Sequence, residues 1–224
     1  MREKKTDILI VGTGASGLFA ALHFPKNRKI LMITKEEKKS SDSFLAQGGI
    51  CVLRDEKDYD SFMEDTLKAG HYENRVESVD IMIRSSQEVI RELIGYGVDF
   101  TKKDGELTFT REGCHSRPRI LFHEDITGEE ITSKLLWEVE KQKNIVIMEH
   151  TSMLDIVEEE NRCLGVIASL KDGEDFFIQS DYTIFATGGV GGLYTHSTNY
   201  PHLTGDALAI ALNHGIRLEN VDYI

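Results

Sequence analysis

An α/β fold with a parallel sheet, a β-meander and a helical insertion is predicted by three observations. Residues 7–11 are apolar after the first position and run straight into glycines. A helical stretch and a second apolar run at residues 29–34 follow at once, giving β-α-β with a tight crossover. A third apolar run, residues 182–186, again ends on small residues, Thr187-Gly188-Gly189. Unbroken apolar runs, as opposed to alternating ones, mark strands buried on both faces, as in parallel sheets.

The elements follow in order. Residues 15–24 read as a helix with Leu18, Ala21 and Leu22 on one face, stopping before Pro25. Residues 35–50 are polar and then glycine-bearing, a loop. Residues 57–70 and 77–96 have helical periodicity; in the second, Val79, Ile83, Val89, Ile90, Leu93 and Ile94 recur at helical steps until Gly95 and Gly97. Residues 100–123 read as irregular or a hairpin, 128–142 as a helix and 145–148 as a strand. Residues 153–157, 164–170 and 175–179 form an antiparallel meander with turns at 158–162 and Asp172-Gly173. Residues 182–186 are then a further buried strand, 204–214 a helix ending near Gly215, and 217–224 a last strand. With no repeat or linker, residues 1–224 are expected to be one domain with a helical insertion over about 51–130.

Composition narrows the function. A net charge of −12 argues against nucleic acid and anionic membrane as partners. No apolar run approaches the roughly 20 residues of a membrane span. The charged start, Met1-Arg2-Glu3-Lys4-Lys5, has no signal-peptide core, so a cytoplasmic location is expected. Cys51, Cys114 and Cys163 lack metal-ligand spacing and read as reduced thiols, with no metal site. An acidic substrate would need a local positive cluster, and residues 111–123 offer one.

Gly12-Thr13-Gly14-Ala15-Ser16-Gly17 is G-x-G-x-x-G between a strand and a helix, the Rossmann-type dinucleotide fingerprint. Gly12 permits the tight turn, Gly14 lets backbone approach a pyrophosphate, and Gly17 lets the helix pack closely. The helix start, with Ala15 and Ser16, presents free N–H groups to phosphate. The acidic residue that often ends the second strand is absent. Thr34-Lys35 stand there, so Thr34 would meet the ribose through its hydroxyl or backbone, or Glu36 would substitute. The second glycine-ended strand, with Ala186, Thr187 and Gly188, brings backbone close to the same ligand. With the meander between them, the arrangement resembles flavoproteins with two dinucleotide-binding domains and favours FAD over NAD.

Ser41-Asp42-Ser43-Phe44-Leu45-Ala46-Gln47-Gly48-Gly49-Ile50 resembles the flavin-contacting loop of the fumarate reductase, succinate dehydrogenase and L-aspartate oxidase superfamily. Ser197-Thr198-Asn199 and Thr204-Gly205-Asp206 are similar to its T-T-N-P and T-G-D-G elements, with Tyr200 before Pro201 and Ala207 for the last glycine. The resemblance implies FAD contacts from Ser43, Ala46, Gln47, Gly48, Gly49, Asn199 and Asp206. Where membrane-complex succinate dehydrogenases carry the histidine that bonds FAD covalently, this chain has Asp42, which implies non-covalent FAD.

Thr110-Arg111-Glu112-Gly113-Cys114-His115-Ser116-Arg117-Pro118-Arg119-Ile120-Leu121, followed by Asp125-Ile126-Thr127-Gly128-Glu129-Glu130-Ile131, resembles segments of the L-aspartate oxidases. The resemblance implies that Glu112 meets a substrate ammonium group, which fumarate and succinate lack. It implies FAD-dependent oxidation of L-aspartate to iminoaspartate in NAD biosynthesis, with oxygen or fumarate as oxidant and coupling to quinolinate synthase. The family's F-H-P-T motif, catalytic arginine and closing flavin helix have no matching positions. The chain is therefore expected to be a fragment or truncated product ending before the capping domain, inactive alone, with no catalytic base assigned. A truncated, inactive FAD-binding domain and a soluble fumarate reductase-like flavoprotein are the alternatives.

Overall fold

The computed structural model describes residues 2–223. They fall into two compact units, one running to Leu45 and resuming at Leu135, the other Ala46–Lys134. In chain order the first unit opens with β1 (Arg2–Val11), α1 (Ala15–Leu22), β2 (Ile30–Ile33) and α2 (Asp42–Leu45). The second unit contains β3 (Ile50–Cys51), a 3-10 turn at Glu56–Asp58, α3 (Tyr59–Ala69) and α4 (Val76–Gly95). It continues with the short strands β4 (Lys102–Lys103), β5 (Glu106–Leu107), β6 (Phe109–Thr110) and β7 (Ile120–Leu121). Helix α5 (Thr127–Glu140) then leads to β8 (Ile145–Met148), β9 (Thr151–Glu159), β10 (Arg162–Leu170), β11 (Asp175–Phe185) and α6 (Asp206–Asn213). Among the described residues no helix is long and apolar enough to cross a membrane.

The first unit is a six-stranded sheet in the order β8-β2-β1-β11-β10-β9. Strands β8, β2, β1 and β11 are parallel; β11, β10 and β9 form the antiparallel meander. Leu9, Val11, Leu31 and Ile33 join Val166, Phe176, Ile178 and Ile210 in one core cluster. The alternate residues Ile8, Ile10, Ile30 and Met32 are equally buried, as are Leu18 and Ala21 of α1 and Leu135, Leu136 and Val139 of α5. Both faces of the central strands are thus covered, which is why their sequence is apolar without alternation.

Several expectations need correction. Residues 175–179 and 182–186 are one strand, not two: β11 pairs antiparallel with β10 through Asp175 to Gln179 and parallel with β1 from Phe176 to Phe185. Strand β1 likewise begins at Arg2, because its charged start makes backbone bonds to β11 while its side chains stay in solvent. The far end of β11 is not deeply buried. Tyr182 is 70% and Phe185 39% exposed, whereas Phe176 and Ile178 are buried. Helix α1 closes at Leu22, since Pro25 drives Phe24 out of helical geometry. A single helical turn, α2, occupies part of the expected loop at 35–50. Residues 217–223 form no strand, because no described strand pairs with them; Ile224 lies outside the described residues.

In the second unit, α3 and α4 pack through Leu53, Phe62, Val79 and Ile83. Residues 100–123 resolve into the β4–β5 hairpin and the sheet β3-β7-β6. Asp104 and Gly105 turn the hairpin, both with positive φ.

Candidate functional site

The turn from β1 to α1 is set by two close approaches. Gly12 has φ +114°, and a Cβ there would stand 2.1 Å from the Ala186 carbonyl oxygen. At Gly17 a Cβ would stand 2.3 Å from the Gly12 oxygen and 3.3 Å from Ala186 Cβ. These two glycines let the ends of β1 and β11 and the start of α1 close together. Gly14 is different. Its φ of −71° suits any residue, and a Cβ would come no nearer than 3.1 Å, to Ser43 Oγ. The protein's own packing does not require glycine there, so space for a ligand is the remaining reason.

The turn opens on a cleft of about 160 Å³, lined by Gly12, Thr13, Gly14 and Ser16, by Thr34, Lys35 and Ser43, and by Ala186, Thr187, Gly188 and Asp206. Helix α1 enters it with no side-chain cap and no acidic residue in its first turn. That leaves positively polarised N–H groups for an anion. The Ala15 N–H donates to Ser43 Oγ at 3.1 Å, and Ser43 is carried by α2. Thr13 Oγ1 is buried without a hydrogen-bond partner. An orphaned hydroxyl among glycines at a helix start fits a phosphate-bearing dinucleotide.

The far rim is tied to the near one. Lys35 Nζ donates to the His202 carbonyl at 2.9 Å and to Thr204 Oγ1 at 2.8 Å, and pairs with Asp206 at 2.5 Å. Burial pushes the Asp206 carboxyl up, but Lys35 and the Thr204 hydroxyl outweigh it and hold it below the usual carboxylate range. Asp42 accepts from the Asn199 side-chain amide and from the Tyr200 N–H. These staples bring residues 35–43 and 197–206 to one site.

Of the residues read from sequence, Gly12, Gly14, Ser16, Thr34, Lys35, Ser43, Ala186, Thr187, Gly188 and Asp206 line the cleft. Ala15, Gly17 and Asn199 stand behind it as packing and tethering groups. The Thr34 N–H is committed to the Met148 carbonyl and its own carbonyl accepts from Thr151, which leaves its hydroxyl and the carbonyl's second lone pair for a ribose. Glu36 does not line the cleft; its carboxylate faces His150 at 3.7 Å. Ser41 and Gly205, which stand in the two family-like segments, also line it, and Ser40, Met153 and His202 line it and escaped the sequence reading. Only the glycine in Thr204-Gly205-Asp206 could have signalled this part of the rim; its φ is +68°.

Ala46, Gln47, Gly48, Gly49 and Glu112 belong to the second unit. The Ala46 carbonyl accepts from Gly128 at 2.7 Å and the Gln47 carbonyl from Thr127 Oγ1 at 3.3 Å. Gly49, with φ +145°, lies against the Leu121 carbonyl. Glu112 is exposed and lies beside Gly48, where a Cβ would stand 2.8 Å from its Oε1. The positive cluster expected at 111–123 needs correction, because Arg119 is fully buried. It pairs with Asp58 at 2.9 Å and Asp65 at 2.5 Å and so is not free to clamp a substrate. Arg111 and Arg117 remain exposed.

Comparison with known proteins matches these features. The chain is 42% identical to the L-aspartate oxidase of Clostridium perfringens over 222 residues, covering 99% of this chain and 50% of that protein. It is 42% identical to the L-aspartate oxidase of Clostridium acetobutylicum over 221 residues, covering 98% and 51%. The chain thus spans about half the length of the curated relatives it matches. Among solved structures, an E. coli quinol fumarate reductase superposes with a TM-score of 0.90 at 27% identity, covering 96% of this chain and 38% of that one. The FAD binding domain family matches residues 7–224. The chain belongs to the FAD binding domain family, and its cofactor is FAD.

Proposed function

We propose that this chain is the FAD-holding half of an L-aspartate oxidase, acting with a second half to oxidise L-aspartate to iminoaspartate in NAD biosynthesis. The observation that carries this reading is 42% identity to such oxidases over nearly the whole chain. The segment from Thr110 to Leu121 that bears Glu112 agrees with it. When bound, FAD supplies a two-electron acceptor.

The chain's own residues hold and orient it. The α1 start, Gly12, Gly14 and the Thr13 hydroxyl take the pyrophosphate; Thr34, Lys35 and Asp206 face its nucleoside end; Ala186, Thr187 and Gly188 bring backbone alongside. Ala46, Gln47, Gly48 and Gly49 supply backbone to the flavin. Asp42 has no imidazole and spends its carboxylate on Asn199 and Tyr200, so the cofactor is held non-covalently. Glu112 accepts a hydrogen bond from the substrate ammonium, and the exposed Arg111 is the nearby cation for a substrate carboxylate. Oxygen or fumarate is the oxidant, and iminoaspartate passes to quinolinate synthase.

The test is Glu112→Gln in a polypeptide of the relatives' full length that contains this chain. A charge-assisted contact of about 1.5–3 kcal/mol predicts a fall of roughly one to two orders of magnitude in L-aspartate oxidation. Fumarate reduction should stay nearly unchanged, since fumarate has no ammonium. Equal losses in both would count against a substrate role for Glu112 and favour a fumarate reductase-like enzyme.

A further inference from the structure

The second unit holds a largely apolar pocket of about 470 Å³, open to solvent on one side and lined among others by Phe62, Met82 and Val89 and by Cys51, Cys114 and His115. Two of the three cysteines therefore face one space, and the geometry around His115 gives them chemistry. Its Nδ1 lies 3.4 Å from Arg119 Nη1. A guanidinium can only donate, so Nδ1 is the acceptor and the neutral ring carries its proton on Nε2. Nε2 is 3.6 Å from Cys51 Sγ, so this N–H donates to sulfur. Arg119 is itself pinned by Asp58 and Asp65, which fixes the imidazole's direction. An N–H aimed at sulfur stabilises the thiolate as it forms.

Cys114 is exposed, in the connection between β6 and β7 that has no regular structure. Beside it, Gly113 has nothing within 4 Å of where a Cβ would stand. Cys114 itself lines the pocket, and Ser116, two residues on, ties the connection to Asp65 through its N–H and its hydroxyl, each at 2.7 Å. Burial pushes the Cys51 thiol up, against the pull of Arg119, so Cys51 rests protonated and Cys114 is the thiol a solute meets first.

We propose that Cys51 and Cys114 are a reversible thiol pair that a hydroperoxide closes into a disulfide. The Cys114 thiolate attacks the O–O bond, leaving a sulfenic acid and, after protonation, water. Cys51 sulfur then displaces hydroxide from the Cys114 sulfur as its own proton departs, with the His115 N–H steadying the developing thiolate. In sum, two thiols and one hydrogen peroxide give one disulfide and two waters. Glu112 lies on the same connection, so closure restrains the loop that carries it. The thiol pairing stands whether or not Glu112 meets a substrate.

The experiment treats the reduced 224-residue chain with one equivalent of hydrogen peroxide, blocks remaining thiols with N-ethylmaleimide and maps the peptides without reduction. Cys51 and Cys114 should be lost together as a linked peptide, Cys163 should be alkylated, and dithiothreitol should restore both thiols. In Cys114→Ser, Cys51 should remain alkylatable at the same dose. In Cys51→Ser, Cys114 should stop at a sulfenic acid that dimedone traps. Because Cys114 is exposed, Cys114→Ser should keep the wild-type circular dichroism spectrum. Absence of the linked peptide, a dimer through Cys114, or unchanged loss of Cys51 in Cys114→Ser would overturn the proposal.

Discussion

Gly12 and Gly14 sit two positions apart in one motif and answer to different forces. Gly12→Ala puts a methyl 2.1 Å from a backbone oxygen at φ +114°, so the backbone must move. Destabilisation of about 2–4 kcal/mol is expected in urea unfolding. Gly14→Ala meets only a side-chain hydroxyl at 3.1 Å, so stability should change by less than about 1 kcal/mol while FAD affinity falls at least tenfold. Equal destabilisation by both would contradict the distinction. Arg119 shows what the sequence hid. A basic residue among basic residues reads as surface, because its two carboxylate partners arrive from α3 and the turn before it, far away in the chain. Arg119→Met strands Asp58 and Asp65 and should cost about 3–5 kcal/mol near neutral pH. Burial pushes both carboxyls up, but Arg119 outweighs it and holds them below their usual range. In the wild type their stabilisation is present above the unfolded value of about 4 and is lost as pH falls through the lower folded values. In the variant burial acts alone and favours the protonated forms, so the stability gap should narrow below about pH 4. A gap that widens there would refute the ion-pair account.

At the scale of elements, the apolar runs of β1 and β2 were readable because those strands are covered on both faces, while the edge strand β8 was readable from its short apolar run although Val146 is exposed. Strand β11 was not, since its single backbone serves a parallel neighbour on one side and an antiparallel one on the other, with Asp181 interrupting the pattern. The same limit explains residues 217–223, whose strand-like composition has no described partner. Helix α6 is held to β9 through His214, whose Nε2 lies 2.8 Å from Asp155 and whose Nδ1 lies 3.4 Å from Glu158. The hydrogen bond to Asp155 raises its pKa above the ordinary histidine value against the opposing effect of burial, with Glu158 adding to it. A raised value means the stabilisation is full below the unfolded pKa of about 6.5 and disappears as pH rises through the folded one. An NMR titration should place His214 above 6.5, and His214→Gln should flatten the pH dependence of amide exchange in α6. A midpoint at or below 6.5 would dismiss the link.

At the scale of the whole molecule, one cleft collects segments that lie far apart in the chain: the glycine loop, the end of β2, α2, the end of β11 and the start of α6. The glycines were legible because close backbone approach leaves a mark in residue type. The rim residues Ser40 and His202 were not, because ordinary polar residues become lining only when the staples Lys35–Asp206 and Asp42–Asn199 draw two loops together. The central claim is that this cleft holds FAD without a covalent bond. Its most direct test is a fluorescence titration of the chain and of Gly14→Val with FAD, followed by acid precipitation of the complex. The account predicts one FAD per chain, complete release of flavin into the acid supernatant, and loss of binding in a Gly14→Val variant that still unfolds cooperatively. Undiminished binding by Gly14→Val, or flavin retained on the precipitated protein, would contradict it.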